Sequence, residues 1–354
     1  MKNSITILTT AVASLFVATA PIVASADHVP FRGVVEGFYG RPWGTEGRLS
    51  VLKFMGENVD NVTKDLKRPP FVWWNWPVND YCRSSLLLGR TYGLEKCKIA
   101  GLVSNPMENC EANKIALYGF AKWCANPDSF DSKKCWDESF AKLYPDPKVA
   151  HAMRVFAEHN SDIGSDGCYS REESVSCAPL CAKAMEELDK SRALSDETAK
   201  GLRELIKEVH IACMALKIRL PKGRYDLGWE IEGWLDDEMH LMEQAVIALV
   251  MINPSMRADG TGGNEPEIDL LRRIRSVAAK DAKAHREKFA EATFEADRRN
   301  ILSPKASPTV LRPLVEKMLV VALSARSKEK FGKEFNAKDG ADSSIDCLLE
   351  ELSK

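Results

Sequence analysis

A chain of 354 residues has room for about two domains at roughly 100–200 residues each, and 45 % apolar residues are enough for a sizeable buried core. Its 49 Lys and Arg nearly balance its 51 Asp and Glu, so no basic field marks a nucleic-acid or anionic-membrane partner. A neutral partner molecule fits this balance.

The N-terminus reads as a secretory signal. Lys2 supplies the positive start, residues 5–24 an apolar run, and Ala24-Ser25-Ala26 a small-residue cleavage site before Asp27. The run approaches the roughly 20 residues that span a bilayer, which leaves a membrane anchor as the alternative. Thr, Ser and Pro dilute it, however, and no basic flank follows. Cleavage implies a secreted or periplasmic protein without membrane attachment.

Next, RGVVE at residues 32–36 has the pattern of a short buried strand ending at Gly37. TEGRLSVLKFMGE predicts a helix with Thr45 as its cap. FVWW at 71–74 is a second strand, breaking into Asn75 and Pro77, and IAGLVS at 99–104 a third, breaking into Asn105-Pro106. A helix over residues 108–127 closes this α/β portion.

From about residue 128 the pattern is helical throughout. Helices are expected behind Ser195 or Asp196, over residues 233–252, over 266–292, and over 309–327 with a bend at Pro313. This portion reads as a helical bundle.

All three strands end in residues suited to a ligand. A glycine at a strand end, such as Gly37 in EGFYGRPW, lets a backbone carbonyl approach a ligand closely. Asn75, Asp80 and Asn105 offer donors and acceptors to vicinal hydroxyls, and the tryptophans of WWNW, Trp73 first, offer flat apolar faces. That mixture suits a sugar better than a phosphate or a peptide. An ordinary turn over a core aromatic, core packing of WWNW and a strand cap at Asn105 account for the same residues.

RGVVEGFYGRPW, FVWWNWPVNDY with LLLGRTYGL, and IAGLVSNPMENCEANKIALYGFAKW resemble, in this order, three blocks of glycoside hydrolase family 84, the β-N-acetylglucosaminidases that include the protein O-GlcNAcases. FAEHNSDIG resembles the family's helical domain more loosely. The resemblance implies that Gly37, Asn75, Asp80 and Asn105 bind N-acetylglucosamine of a glycan or glycoprotein and that Trp73 stands near the acetamido pocket. It implies no cofactor and no metal, and neither the cysteines nor the histidines show metal-ligand spacing.

The family's chemistry uses two neighbouring aspartates: one orients the substrate's acetamido group, which attacks the anomeric carbon, and the other is the general acid and base. These belong to a long stretch between the first two blocks. Here that stretch is only residues 44–70, so no catalytic residue is assigned and the chain is expected to be inactive or degenerate. Asp60 and Asp65 lie in the shortened connection without a strand before them, and Asp236-Asp237 reads as the exposed face of a helix.

A closed (β/α)₈ barrel takes about 250 residues, far more than residues 27–127 supply. The expected fold is therefore α/β plus α: a remnant of a TIM barrel with a three-stranded parallel sheet of order 7-8-1, followed by an all-α bundle. The expected divisions are 1–26 for the signal, 27–127 for the shortened catalytic domain and 128–354 for the bundle. Ten cysteines in an exported chain suggest buried thiols, Cys110, Cys124 and Cys213 among them, plus a bridge or two near Cys168, Cys177 and Cys181. Such a remnant binds glycans without hydrolysis, or serves as a protein-interaction module through its helices.

Overall fold

The computed structural model describes residues 69–80, 82–95, 97–162, 172–256, 265–292, 302–332 and 341–353. The signal, the strand at 32–36 with Gly37, the helix after it, Asp60, Asp65 and Cys168 lie outside these residues.

Two strands pair in parallel, β1 (Phe71–Trp74) and β2 (Gly101–Ser104), in the register Phe71↔Gly101 to Trp74↔Ser104. Alternation gives the pair two unlike faces. Val72 is buried, and Trp74 and Leu102 pack against the core, whereas Phe71, Trp73 and Val103 on the other face are about two-fifths exposed. Gly101 makes room for its partner: a Cβ there would lie 2.8 Å from the Phe71 ring. Among the described residues the sheet has two strands, and the third expected one, at residues 32–36, lies outside them.

Nine α-helices follow among the described residues: α1 (Lys114–Ala125), α2 (Ser132–Leu143), α3 (Pro147–His159), α4 (Ala178–Ser191), α5 (Asp196–Arg219), α6 (Leu227–Ile252), α7 (Glu265–Ala292), α8 (Leu311–Phe331) and α9 (Ala341–Glu351). None is long and apolar enough to cross a membrane. α6 is the central helix, packing against α5, α7 and α8. Ser195 caps α5 by accepting the Thr198 N–H, and Asp131 and Asp146 cap α2 and α3 in the same way.

Several boundaries differ from expectation. α1 starts at Lys114 rather than 108, because the chain ahead of it is committed elsewhere: Asn113 exchanges two hydrogen bonds with the Met107 backbone, and Glu230 of α6 accepts the N–H groups of Glu111 and Ala112. Pro313 does not break into a helix interior, since α8 begins at Leu311 and its first turn has no need of that N–H. Cys213 is buried as expected, but Cys110 and Cys124 are exposed. Among the described residues the cysteines are free thiols; the Cys181 thiol donates to the Cys177 sulfur at 3.9 Å, without a disulfide.

The segment at 82–95 is irregular yet central. Leu86, Leu87, Leu88 and Leu94 are at most 1 % exposed. Buried backbone without a ladder must find other partners, and helix side chains supply them. The indole N–H of Trp136 donates to the Leu88 carbonyl at 2.8 Å, that of Trp234 to Ser84 at 2.8 Å, and that of Trp123 to Leu94 at 3.2 Å. The Ser132 hydroxyl donates to the Thr91 carbonyl, and the Leu88 N–H donates to the Asn160 carbonyl.

Trp136→Phe keeps the ring's edge contact with Phe140 but strands the Leu88 carbonyl. It is expected to cost about 1–3 kcal/mol in urea unfolding, the cost of an unsatisfied buried acceptor.

Candidate functional site

The carboxyl ends of both strands bring three of the expected residues together. The Trp73 indole N–H donates to the Asn75 Oδ1 at 2.7 Å, and the Asn105 side-chain amide donates to the same oxygen at 3.2 Å. Asn105 is itself fixed by its backbone N–H on the Trp74 carbonyl at 2.9 Å, which extends the ladder by one bond. The Ser104 hydroxyl donates to the Trp76 carbonyl at 2.7 Å and so holds the turn that carries Asn75.

This sharing has a chemical consequence. With Asn75 Oδ1 occupied by two donors, its amide nitrogen is left to donate, while the Asn105 amide oxygen is left to accept. A donor and an acceptor stand side by side next to a partly exposed indole, an arrangement that suits adjacent hydroxyls and an apolar ring face. Asp80 lies exposed in the turn that follows the cis Trp76-Pro77 peptide. Gly37 lies outside the described residues.

A second concentration of polar groups was not legible as such. Asp236 and Asp237 do not form an exposed face: Asp236 pairs with Lys217 of α5, and Asp237 pairs with Arg312 of α8 and accepts the Ala306 N–H at 2.7 Å. Successive helix positions point to different neighbours, and here both neighbours are other elements. Beside them the fully buried Glu238 accepts the Ser307 hydroxyl at 2.8 Å, and Glu173 accepts the Thr309 N–H at 2.7 Å. Ser307 has φ 48°, in the left-handed region a side chain seldom enters, so these bonds also hold a strained residue. Glu230 and Glu238, eight apart on one buried stripe of α6, were the available signal.

Burial pushes the Glu173 carboxyl up to about 9, aided by the nearby Glu238 and Asp162 charges, and Glu238 up to about 7, aided by the neighbouring Asp237 charge. Among the described residues no group of three or more His, Cys, Asp or Glu is placed to hold a metal ion.

A β-N-acetylglucosaminidase family model matches residues 32–61 and 57–158. The particular relatives include the protein O-GlcNAcases of Rattus norvegicus and Mus musculus, each 34 % identical over 70 residues, 19 % of this chain and 8 % of theirs. Among solved structures, CpGH84D matches with TM-score 0.57 and 22 % identity over 75 % of this chain and 42 % of its own. A Thermobaculum terrenum O-GlcNAc hydrolase mutant matches with TM-score 0.55 and 21 % identity over 80 % of this chain and 55 % of its own. At these identities the structures establish a shared fold. The resemblance to glycoside hydrolase family 84 is thus supported by the family model and the relatives, and the solved structures share the fold. It matches only a small part of the curated relatives' length and about half of the solved chains'.

The raised carboxyl of Glu173 sets a pH dependence. The folded state holds a proton there that the unfolded chain has released above the ordinary carboxylate range near 4.5, so stability falls as pH rises through about 9. Between pH 7 and 9 the loss is expected to be roughly 2 kcal/mol in urea titrations, and Glu173→Gln, an isostere of the protonated form, should flatten it.

Proposed function

We propose that this chain is a β-N-acetylglucosaminidase-like protein that holds N-acetylglucosamine-containing glycans without hydrolysing them. The observation that carries the reading is the hydrogen-bonded set Trp73, Asn75 and Asn105 at the strand ends, with its unspent donor and acceptor. Asp80 in the neighbouring turn and Gly37 complete the grip that the family resemblance implies.

The absence of hydrolysis rests on the sequence. Residues 44–70 contain no adjacent aspartates, and Asp236-Asp237, the one adjacent pair in the chain, is bound to Lys217 and Arg312. In this reading the protein is an internally shortened relative. The family model's two matched pieces meet at residues 57–61, inside the shortened stretch 44–70, which supports that view. The strand at 32–36 then lies beside β2 in a sheet of order 7-8-1, ahead of a bundle from residue 128, and the first 26 residues direct the chain to a secreted or periplasmic location.

A second reading, a protein-interaction module, draws on the exposed apolar face of Phe71, Trp73 and Val103.

Calorimetric titration with N-acetylglucosamine tests the first reading. Millimolar binding is expected, weakened about tenfold or more by Asn75→Ala and by Asp80→Ala through lost hydrogen bonds. No turnover of 4-nitrophenyl N-acetyl-β-glucosaminide is expected. Absence of sugar binding at millimolar concentration would sink the glycan reading, and turnover abolished by Asp60→Ala or Asp65→Ala would sink the claim of lost hydrolysis.

A further inference from the structure

A cavity opens where the turns after the two strands meet α6 and α7. Its inner space is about 30 Å³, more than one water molecule requires, and about 360 Å³ lies free once its mouth is included. Trp234 and Phe289 form an apolar wall, and Asn79, Arg83, Glu108 and Asn109 form a polar one. None of Trp73, Asn75, Asp80 and Asn105 is among its described lining residues, so this space is separate from the strand-end constellation.

His285, 6 % exposed, decides its polarity. The ring stands 5.1 Å from Trp234, edge to face, and 4.4 Å from Phe289. Gly233 is what admits it: a Cβ on that residue would fall 2.1 Å from His285 Nδ1. Nδ1 therefore faces the glycine backbone and has no hydrogen-bond partner. A buried N–H without an acceptor is costly, so a neutral ring keeps its proton on Nε2 and leaves Nδ1 as a bare lone pair. Burial, and then the nearby Lys288 ammonium, lower the imidazole pKa to about 4, so the ring is neutral near pH 7. Its Nε2–H is the donor left for the cavity.

Arg83 adds charge. Its Nη2 reaches Glu108 at 3.0 Å, on a carboxylate that is half exposed, while Nε and Nη1 are buried without acceptors. The guanidinium is thus under-satisfied at the cavity wall. Asn79 and Asn109 spend their amide nitrogens on the carbonyls of Ser85 and Glu230, which leaves each amide oxygen as an acceptor.

We propose that this cavity binds a small carboxylate with a neighbouring hydroxyl, of the glycolate type. Arg83 and the His285 Nε2–H take the carboxylate, an Asn79 or Asn109 oxygen takes the hydroxyl proton, and Trp234 with Phe289 covers the carbon. An acid without the hydroxyl leaves the amide oxygens unused and binds more weakly. Chloride engages the cation alone.

Thermal unfolding of the full chain with sodium glycolate, acetate or chloride at equal ionic strength tests this. Glycolate is expected to raise Tm saturably, with an apparent Kd about fivefold or more below that of acetate, and chloride to have no comparable effect. Arg83→Met and His285→Phe should each weaken glycolate binding about tenfold. Glu108→Gln removes the competing carboxylate at the exposed rim and should tighten binding several-fold; it keeps the test informative if the two buried variants do not fold. A glycolate response no greater than that of chloride, equal affinity for acetate, or weaker binding in Glu108→Gln would overturn the proposal.

Discussion

Burying an irregular stretch of backbone is the constraint on which the rest of this structure depends. Residues 82–95 run through the centre of the molecule without a ladder, and their leucines fill the core that the strands and helices share. Each buried carbonyl there needs a donor, and Trp123, Trp136 and Trp234 reach in from α1, α2 and α6 to provide one. One set of contacts therefore settles both where the helices sit and where the strand ends point. The apolar core is continuous from Trp76 to Leu352 for the same reason.

Much of this could be read in the sequence, and the parts that could not share a cause. β1 falls on the expected four residues, and α5 and α7 lie within a residue or two of their expected limits, because hydrophobic period, caps and prolines are local signals. Asn75 and Asn105 were legible as strand-end polar residues, and their sharing of one amide oxygen follows from a parallel register that puts both ends level. What escaped was long-range pairing. Asp237 finds Arg312, Glu173 finds Thr309 and Glu230 finds the turn at 111–112 across large separations in the chain, and no periodicity records such partners. The start of α1 was misjudged on the same account.

Buried carboxyl groups give the helical portion a particular character. Glu173, Asp237 and Glu238 grip the segment from Ala306 to Thr309, which then leads into α8. A hydrophobic surface would have held that segment less specifically, since apolar contacts tolerate sliding and carboxylate bonds do not. The left-handed Ser307 is kept in place by the same groups.

Among the described residues, the position of Asn75 and Asn105 depends on a few nearby bonds and on the helices behind Val72, Trp74 and Leu102. The two amides are thus anchored from behind. Held this way, they keep their places whether or not further strands flank the pair.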